Sequence, residues 1–212
     1  SNCANAFDFN TAINADITLY AKWTAKTYTV TLNPQSGTGG TTSVTATYGS
    51  AMPAITKPTR TGYTFNGYYD ATSGGTQYYK ADGSSARPWN KAAATTLYAQ
   101  WTPAKYTINY KDQNNADFSG SHATGYPTQH TYGTETTLKT ATKNGYTFGG
   151  WHTDEACTNK VTSLGATAYT AAITLYAKWT INQYTLTYSA GEGGSVTGNK
   201  ASGAKYDYNT SI

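Results

Sequence analysis

Charged side chains and long apolar runs are both scarce in this chain, and each absence narrows what it can do. Charged residues make up 12% of the 212 residues, about half of the usual quarter. Lysine and arginine form no cluster of the kind that binds nucleic acid, so we expect no nucleic-acid partner. No segment approaches the roughly 18 apolar residues of a membrane helix. We therefore expect no membrane insertion by these residues.

Tyrosine, threonine and glycine are abundant instead, and they recur in a fixed order. The octapeptide ITLYAKWT occupies both Ile17–Thr24 and Ile173–Thr180, and a near-copy, TTLYAQWT, occupies Thr95–Thr102. Their starts at 17, 95 and 173 are each 78 residues apart. A second marker, a short strand rich in tyrosine and threonine, keeps the same step and begins at Tyr28, Tyr106 and Tyr184. Two markers on one period identify a tandem array.

The period divides the chain into two full copies, which we call the first repeat (residues 25–102) and the second repeat (residues 103–180). Residues 1–24 match the C-terminal part of a preceding repeat, and residues 181–212 match the N-terminal part of a following one. We therefore expect the chain to be part of a longer array.

The two cysteines, Cys3 and Cys157, lie at matching places in the array. Cys3 lies 20 residues before Trp23, and Cys157 lies 22 residues before Trp179, the tryptophans of two LYAKW segments. Equivalent positions in separate repeats are too far apart for a disulfide. The sequence predicts free thiols on a loop, or small buried side chains, rather than a disulfide framework.

Apolar and polar residues alternate along the repeated segments. In the first copy of LYAKW, Leu19, Ala21 and Trp23 point to one side of the chain, a pattern typical of a half-buried strand. No apolar stripe with the helical period exceeds ten residues, so at most one short helix per repeat is expected, around Pro53–Lys57 or Ala92–Thr95. The fold class predicted is mainly β with little helix. The repeated aromatic residues are predicted to form the cores: Trp23, Trp101, Trp179, Phe65 and Phe148.

Four sequence markers occur in the same order in each full copy: a Tyr/Thr-rich strand, a Tyr-Gly pair, a Gly-Tyr-Thr-Phe segment and a closing Leu-Tyr-Ala-x-Trp. In the first repeat these are Tyr28–Leu32, Tyr48-Gly49, Arg60–Tyr68 and Leu97–Trp101; in the second they are Tyr106–Tyr110, Tyr132-Gly133, Gly145–Trp151 and Leu175–Trp179. This order resembles the InlB B-repeat, also called the Listeria–Bacteroides repeat. Two positions depart from that family's pattern, because Tyr68 replaces a tryptophan and Asn144 replaces an arginine.

The resemblance implies tandem small β-grasp-like modules in an elongated array. It also implies an extracellular protein, on the bacterial cell surface or secreted, in which the repeats act as stalk, spacer and adhesion module. The family motif is a folding motif, so no binding residue is carried over from it.

The sequence offers little support for a catalytic or metal-binding site. His122, His130 and His152 all lie in the second repeat and do not stand at metal-ligand spacings with Cys157. Asp154-Glu155 fits an exposed turn better than half of an acid pair. The sequence therefore predicts no catalytic residue, no metal, no cofactor and no enzymatic activity.

Aromatic residues that do not repeat are better candidates for ligand contact than those that do. The first repeat has four, Tyr69, Tyr78, Tyr79 and Trp89, and an exposed row of such rings stacks well on sugars. The alternative is that they pack beneath the long loop. We expect the loops at 70–92 and 111–125, where the copies differ, to carry any binding function.

Charge distinguishes the two repeats. Residues 25–102 carry six lysines and arginines against two aspartates, whereas residues 103–180 carry six lysines against five acidic residues. The first repeat therefore favours an acidic polymer such as a glycosaminoglycan, the alternative being a solvated, mildly basic surface. Host or environmental glycans and surface proteins are the partners expected. A second function remains open, that of a carbohydrate-binding module in a secreted glycan-active protein.

Overall fold

A computed structural model describes residues 5–198 and 200–211. It divides into two compact units, the first comprising Ser1–Arg60 and Phe65–Thr102, the second Thr61–Thr64 and Pro103–Ile212. Strands and loops build both units. No α-helix occurs among the residues described, and a single 3-10 turn spans Gln113–Asn115. The expectation of a mainly β chain is confirmed, and neither Pro53–Lys57 nor Ala92–Thr95, the two places considered for a single short helix, is helical.

The sheet of the first repeat has five strands, β1 (Thr27–Asn33), β2 (Ser43–Thr47), β3 (Tyr63–Tyr69), β4 (Gln77–Tyr79) and β5 (Thr95–Pro103). Their order across the sheet is β2-β1-β5-β3-β4. β1 and β2 form the antiparallel hairpin that the sequence predicts. The first and last strands, β1 and β5, lie side by side and parallel, with Val30 opposite Thr95 and Asn33 opposite Tyr98.

The second repeat follows the same plan with more short strands. Its strands are β6 (Lys105–Asp112), β7 (Ser121–His122), β8 (Gln129–Thr131), β9 (Thr136–Thr137), β10 (Ala141–Thr142), β11 (Tyr146–His152), β12 (Lys160–Val161), β13 (Ser163–Leu164) and β14 (Ile173–Ile181). The main sheet has the order β12-β11-β14-β6-β8, and β7 with β10 and β9 with β13 form two small ribbons. Here too the first and last strands, β6 and β14, are parallel neighbours. A final hairpin pairs β15 (Gln183–Thr185) with β16 (Lys205–Asp207).

Alternation along the strands decides which side chains enter each core. In β1, Val30 and Leu32 are buried while the intervening threonines face outward. In β14, the buried residues are Ile173, Leu175, Ala177 and Trp179, every second position. Each repeat thus encloses a separate hydrophobic cluster, one around Leu97 and Trp89 and one around Leu175 and Trp151.

A glycine in the Gly-Tyr-Thr-Phe segment is required by the sheet itself. Gly67 in β3 and Gly150 in β11 have φ values of 129° and 115°, in the region that side chains other than glycine rarely adopt. A Cβ at Gly67 would overlap the carbonyl oxygen of Tyr79 in the neighbouring strand. The register of β11 against β14 shifts between Phe148 and Gly150, so the glycine marks a bulge in that sheet.

The first copy of LYAKW behaves differently from the other two. Leu97 and Leu175 are fully buried, whereas Leu19 is 49% exposed and Trp23 is 89% exposed. Residues 17–24 form no strand. The prediction that Trp23 is a core residue is therefore wrong for this structure, because a closing strand is buried only when an opening strand and a Gly-Tyr-Thr-Phe strand flank it. Trp101 is half-buried and Trp179 buried, as predicted for the two full repeats.

Candidate functional site

The loop that follows β3 is held in one conformation by polar contacts at its base. Asp70 accepts a hydrogen bond from the Thr76 amide at 2.7 Å and pairs with the Lys91 ammonium at 2.9 Å. The hydrogen bond from the Thr76 backbone amide is the main reason why the pKa of Asp70 lies below its usual value, and the contact with Lys91 is the second reason. Asp70 in turn raises the pKa of Lys91. The side-chain amide of Gln100 in β5 donates a further hydrogen bond to the backbone carbonyl of Gly74 in this loop, at 2.6 Å.

The non-repeating aromatic residues do not form an exposed row. Tyr78, Tyr79 and Trp89 are 2%, 0% and 0% exposed, and all three belong to the core of the first repeat. Burial raises the pKa of Tyr79 to about 12. The row expected from the sequence is therefore wrong for these three residues. Tyr69 is half-buried, and ligand contact by this residue stays a prediction.

These rings are buried because residues 85–89, which we call the strap, fold back over the sheet. The Trp89 amide donates to the carbonyl of Ser50 at 2.8 Å, and the Gly49 amide donates to the carbonyl of Trp89 at 2.8 Å. Ser85 accepts from the Met52 amide at 2.9 Å. Apolar residues are not regularly spaced in the strap, so its position over the sheet could not be predicted from sequence periodicity.

The accessible part of this loop is basic. Lys80 and Arg87 are exposed, and the Arg87 guanidinium lies 5.8 Å from the centroid of the buried Tyr78 ring. Lys91 is partly neutralised by Asp70. The exposed charged side chains of the loop at 70–92 are Lys80 and Arg87, with the acidic Asp82 close to Lys80. This small excess of positive charge suits anionic groups rather than stacking.

The loop at 111–125 in the second repeat is partly ordered by stacked rings. His122 lies between Phe118 and Tyr126, with centroid distances of 4.3 and 3.8 Å and interplanar angles of 25° and 8°. Burial lowers the pKa of His122. Tyr126, at the outer end of the stack, is 38% exposed. The segment contains a 3-10 turn and strand β7, neither of which the sequence predicted.

An open groove of about 270 Å³ lies on the second repeat. Its aromatic walls are Phe148 and Trp151, and its rim includes Lys139 and Lys160. The Trp151 indole donates to the Lys139 carbonyl at 2.6 Å. The Lys139 ammonium donates to the Thr124 carbonyl at 2.8 Å, which fixes one side of the rim. The groove is small, apolar at its floor and cationic at its edge.

The histidines and Cys157 are dispersed into separate packing sites. His130 shares a hydrogen bond with the Thr136 hydroxyl at 2.9 Å, and His152 is buried in β11. Cys157 is a buried free thiol whose pKa is raised, mainly by burial; Cys3 lies outside the described residues. Over residues 5–198 and 200–211 no group of three or more histidine, cysteine, aspartate or glutamate side chains is arranged to hold a metal ion. In the same residues no helix has the length and apolar character needed to cross a membrane.

Comparison with known proteins gives a family match in both repeats. The family model described as the Listeria–Bacteroides repeat domain matches residues 28–100 and 106–178. Internalin H of Listeria monocytogenes is 35% identical over 144 residues, which cover 68% of this chain and 24% of the relative. A protein of Evansella cellulosilytica named "Putative Gly-rich membrane protein" is 29% identical over 198 residues, covering 91% of this chain and 21% of the relative. No solved structure matches the chain.

Proposed function

The chain belongs to the Listeria–Bacteroides repeat family, and on that premise we propose that it is a non-enzymatic spacer and adhesion region of a bacterial cell-surface or secreted protein. It spans a quarter or less of the length of the curated relatives that it matches. The activity and partners of the whole protein are therefore part of the proposal. Similarity to an internalin supports an extracellular location.

The spacer role rests mainly on the pairing of the first and last strand of each repeat. Because β1 and β5 are parallel neighbours, a pull on the two ends of the repeat slides one strand along the other. All ladder hydrogen bonds between them then carry load together, in shear, rather than breaking one at a time. β6 and β14 offer the same geometry in the second repeat, with Ile173 opposite Ile108 and Ala177 opposite Asp112.

The spacer role is tested by pulling single molecules of the full chain through its two ends. We expect two discrete unfolding events, one per repeat, each releasing the chain from β1 to β5 or from β6 to β14 at up to about 3.5 Å per residue. Gradual extension at low force, with no discrete events, would overturn the load-bearing proposal. Because forced unfolding reports the unfolding rate rather than the equilibrium stability, denaturant midpoints are no substitute.

The adhesion role draws support from the charge of the first repeat. Its excess of basic residues and the exposed Lys80 and Arg87 would attract sulfated or carboxylated glycans, or acidic patches on surface proteins. Such attraction weakens as salt screens the charges. Retention of the full chain on a heparin column, eluted with a sodium chloride gradient, tests this directly.

The matched variants are Lys80→Gln with Arg87→Gln in the first repeat, and Lys105→Gln with Lys178→Gln in the second. All four side chains are exposed, so each pair removes two charges without disturbing a core. The first pair should elute at clearly lower salt than the second. Equal shifts would mean that net charge alone governs retention, which would remove the argument for a site on the first repeat.

A carbohydrate-binding module of a secreted glycan-active protein is the second candidate. The groove beside Phe148 and Trp151, with Lys139 and Lys160 at its rim, favours a small acidic sugar at this place. Tyr69 is the remaining stacking candidate on the first repeat. A glycan array on the full chain separates this candidate from the spacer, because a spacer with no sugar site gives no selective signal.

We also propose the repeat boundaries 25–102 and 103–180, with residues 1–24 and 181–212 equivalent to parts of neighbouring repeats. The family matches at 28–100 and 106–178 fall inside these boundaries. A β-grasp-like classification is likewise a proposal. It is supported by the strand order with a parallel central pair, although no α-helix occurs among the residues described.

A further inference from the structure

Inside the second unit, a glycine turn receives the ring of a tyrosine that lies much later in the chain. Gly145 has a φ of 77°, and a Cβ at this position would overlap the ring of Tyr208. The Asn144 side-chain amide donates to the Tyr208 hydroxyl at 2.7 Å. Backbone hydrogen bonds complete the contact, from the Asn182 amide to the Gly145 carbonyl and from the Tyr208 amide to the Asn182 carbonyl, both 2.8 Å.

The same contact occurs a second time within this unit, which includes Thr61–Thr64. Gly62 has a φ of 74°, and a Cβ there would overlap the ring of Tyr132. The Ala104 amide donates to the Gly62 carbonyl at 2.8 Å, and the Tyr132 amide donates to the Ala104 carbonyl at 2.9 Å. The Tyr63 and Tyr132 rings meet edge to face with centroids 5.6 Å apart. Two independent copies therefore use one pattern of glycine, link residue and tyrosine.

A third copy has the link residue and the tyrosine but no glycine turn before them. The Tyr48 amide donates to the Lys26 carbonyl at 2.9 Å, and Lys26 stands at the place of Ala104 and Asn182 in the period. Gly49, which follows Tyr48, has a φ of 79°, as Gly133 has 85° after Tyr132. Residues 1–24 contain no glycine. The Tyr48 ring is 48% exposed, whereas Tyr132 and Tyr208 are half-buried.

We propose that Tyr48, Lys26 and Gly49 form a docking seat for the Gly-Tyr turn of another repeat of this family. The partner is defined by chemistry: a glycine with positive φ, whose bare backbone admits the Tyr48 ring and whose carbonyl accepts the Lys26 amide. Both turns of this chain, at Gly62 and Gly145, already hold a ring. The occupant is therefore a further repeat joined ahead of Ala25, not a second free copy of the chain.

Recognition of one repeat by another in this way requires neither that the chain bears load nor that it adheres. In arrays, stability is the sum of the stability of each repeat and of the contacts between neighbours. A seated ring would couple each repeat to the one before it. Only a repeat with glycine at the position equivalent to Gly62 fits this seat, because a side chain there would overlap the tyrosine ring.

The test inserts a copy of residues 25–102 between Thr24 and Ala25 of the full chain. The inserted copy carries Tyr48→Phe, so that any modification of Tyr48 that is detected comes from the original residue. Tyrosine acetylation, quantified by mass spectrometry, should modify Tyr48 readily in the starting chain and severalfold more slowly after the insertion. A matched insertion with Gly62→Ala in the copy should leave Tyr48 reactive, with circular dichroism checking that the copy is folded.

A second insertion, of residues 103–180 with Tyr132→Phe, supplies the Gly145 turn should the Gly62→Ala copy fail to fold. Its control is Gly145→Ala. Unchanged acetylation of Tyr48 behind folded, unaltered copies of both repeats would overturn the proposal. Protection that persists with alanine at the glycine position would also overturn it. Protection of Tyr48 in the starting chain that rises with protein concentration would show that a second copy fills the seat, and would overturn a repeat ahead of Ala25 as the occupant.

Discussion

Trp179 donates its indole N–H to a carboxylate oxygen of Asp112 across 2.7 Å, and both side chains are buried. The equivalent Trp101 donates to the backbone carbonyl of Pro34 at 3.0 Å. A tryptophan near the end of each closing strand thus donates to an acceptor at the end of the opening strand, Asp112 in β6, or just past it, Pro34 after β1. The two repeats use different acceptors, because their loops differ there in sequence.

Replacing Asp112 by alanine should destabilise the second repeat by about 1–3 kcal/mol, since a buried donor is left unpaired. The same change also removes the partner of Lys143, whose ammonium lies 3.6 Å from Asp112. Urea unfolding monitored by tryptophan fluorescence measures the effect. Asp117→Ala is the control, because Asp117 is fully exposed and should shift the midpoint little. Equal effects at both positions would refute a structural role for the buried contact.

The three copies of LYAKW provide a matched series of leucine variants. Leu97 and Leu175 are fully buried, so Leu97→Ala and Leu175→Ala should each cost about 2–5 kcal/mol. Leu19 is 49% exposed, and Leu19→Ala should stay within about 0.5 kcal/mol. Thermal or urea unfolding of the full chain gives all three values. A Leu19→Ala loss as large as the other two would mean that the first copy is also packed.

The aromatic residues of the loop at 70–92 should affect stability before they affect binding. Trp89→Ala should cost about 3–5 kcal/mol, since the side chain is fully buried. Tyr69→Ala should cost much less, because Tyr69 is half-buried. Urea unfolding and heparin retention are measured on both variants. A Trp89→Ala chain that keeps its stability but loses ligand retention would restore the binding role that burial argues against.

Asp154 should titrate at unusually low pH. The Thr158 amide is the main cause, and the Asn159 amide and Thr158 hydroxyl add to it, so that the pKa of Asp154 falls to about 2. Because the folded value lies below the usual 3.9 or so, these hydrogen bonds contribute fully above about pH 4. Their contribution is lost as the pH falls through about 2. Carbon-detected NMR titration measures the midpoint, and Thr158→Val should raise it. A midpoint near 4 in the unaltered chain would contradict the turn geometry.

Alternation and the repeat step predicted more of this structure than composition did. The period of 78 residues located both repeats, and alternation in LYAKW placed Leu97 and Leu175 inside. Periodicity says nothing about which strands become neighbours, so the parallel pairing of β1 with β5 could not be read from the sequence. That pairing depends on contacts between residues far apart in the chain.

Two kinds of residue were misjudged, for opposite reasons. The sequence predicts a core position for Trp23 because the other two copies of its motif lie in cores. A strand is buried only when other strands flank it, however, and residues 17–24 form no strand. Trp89 was a candidate for the surface because it does not repeat. The strap buries it through backbone hydrogen bonds to Ser50 and Gly49, which no side-chain pattern reveals. Failure to repeat was therefore a poor guide to exposure.

The load-bearing claim is tested most directly by pulling the first repeat in two directions within the same chain. Cysteine handles at Lys26 and Pro103 load β1 against β5 in shear, whereas handles at Lys26 and Ser50 open the β1–β2 hairpin, where Thr27 faces Thr47, one pair at a time. Cys3 and Cys157 are replaced by serine in both. Parallel pairing of the terminal strands predicts a clearly higher unfolding force in the first geometry. Equal forces in the two directions would contradict it.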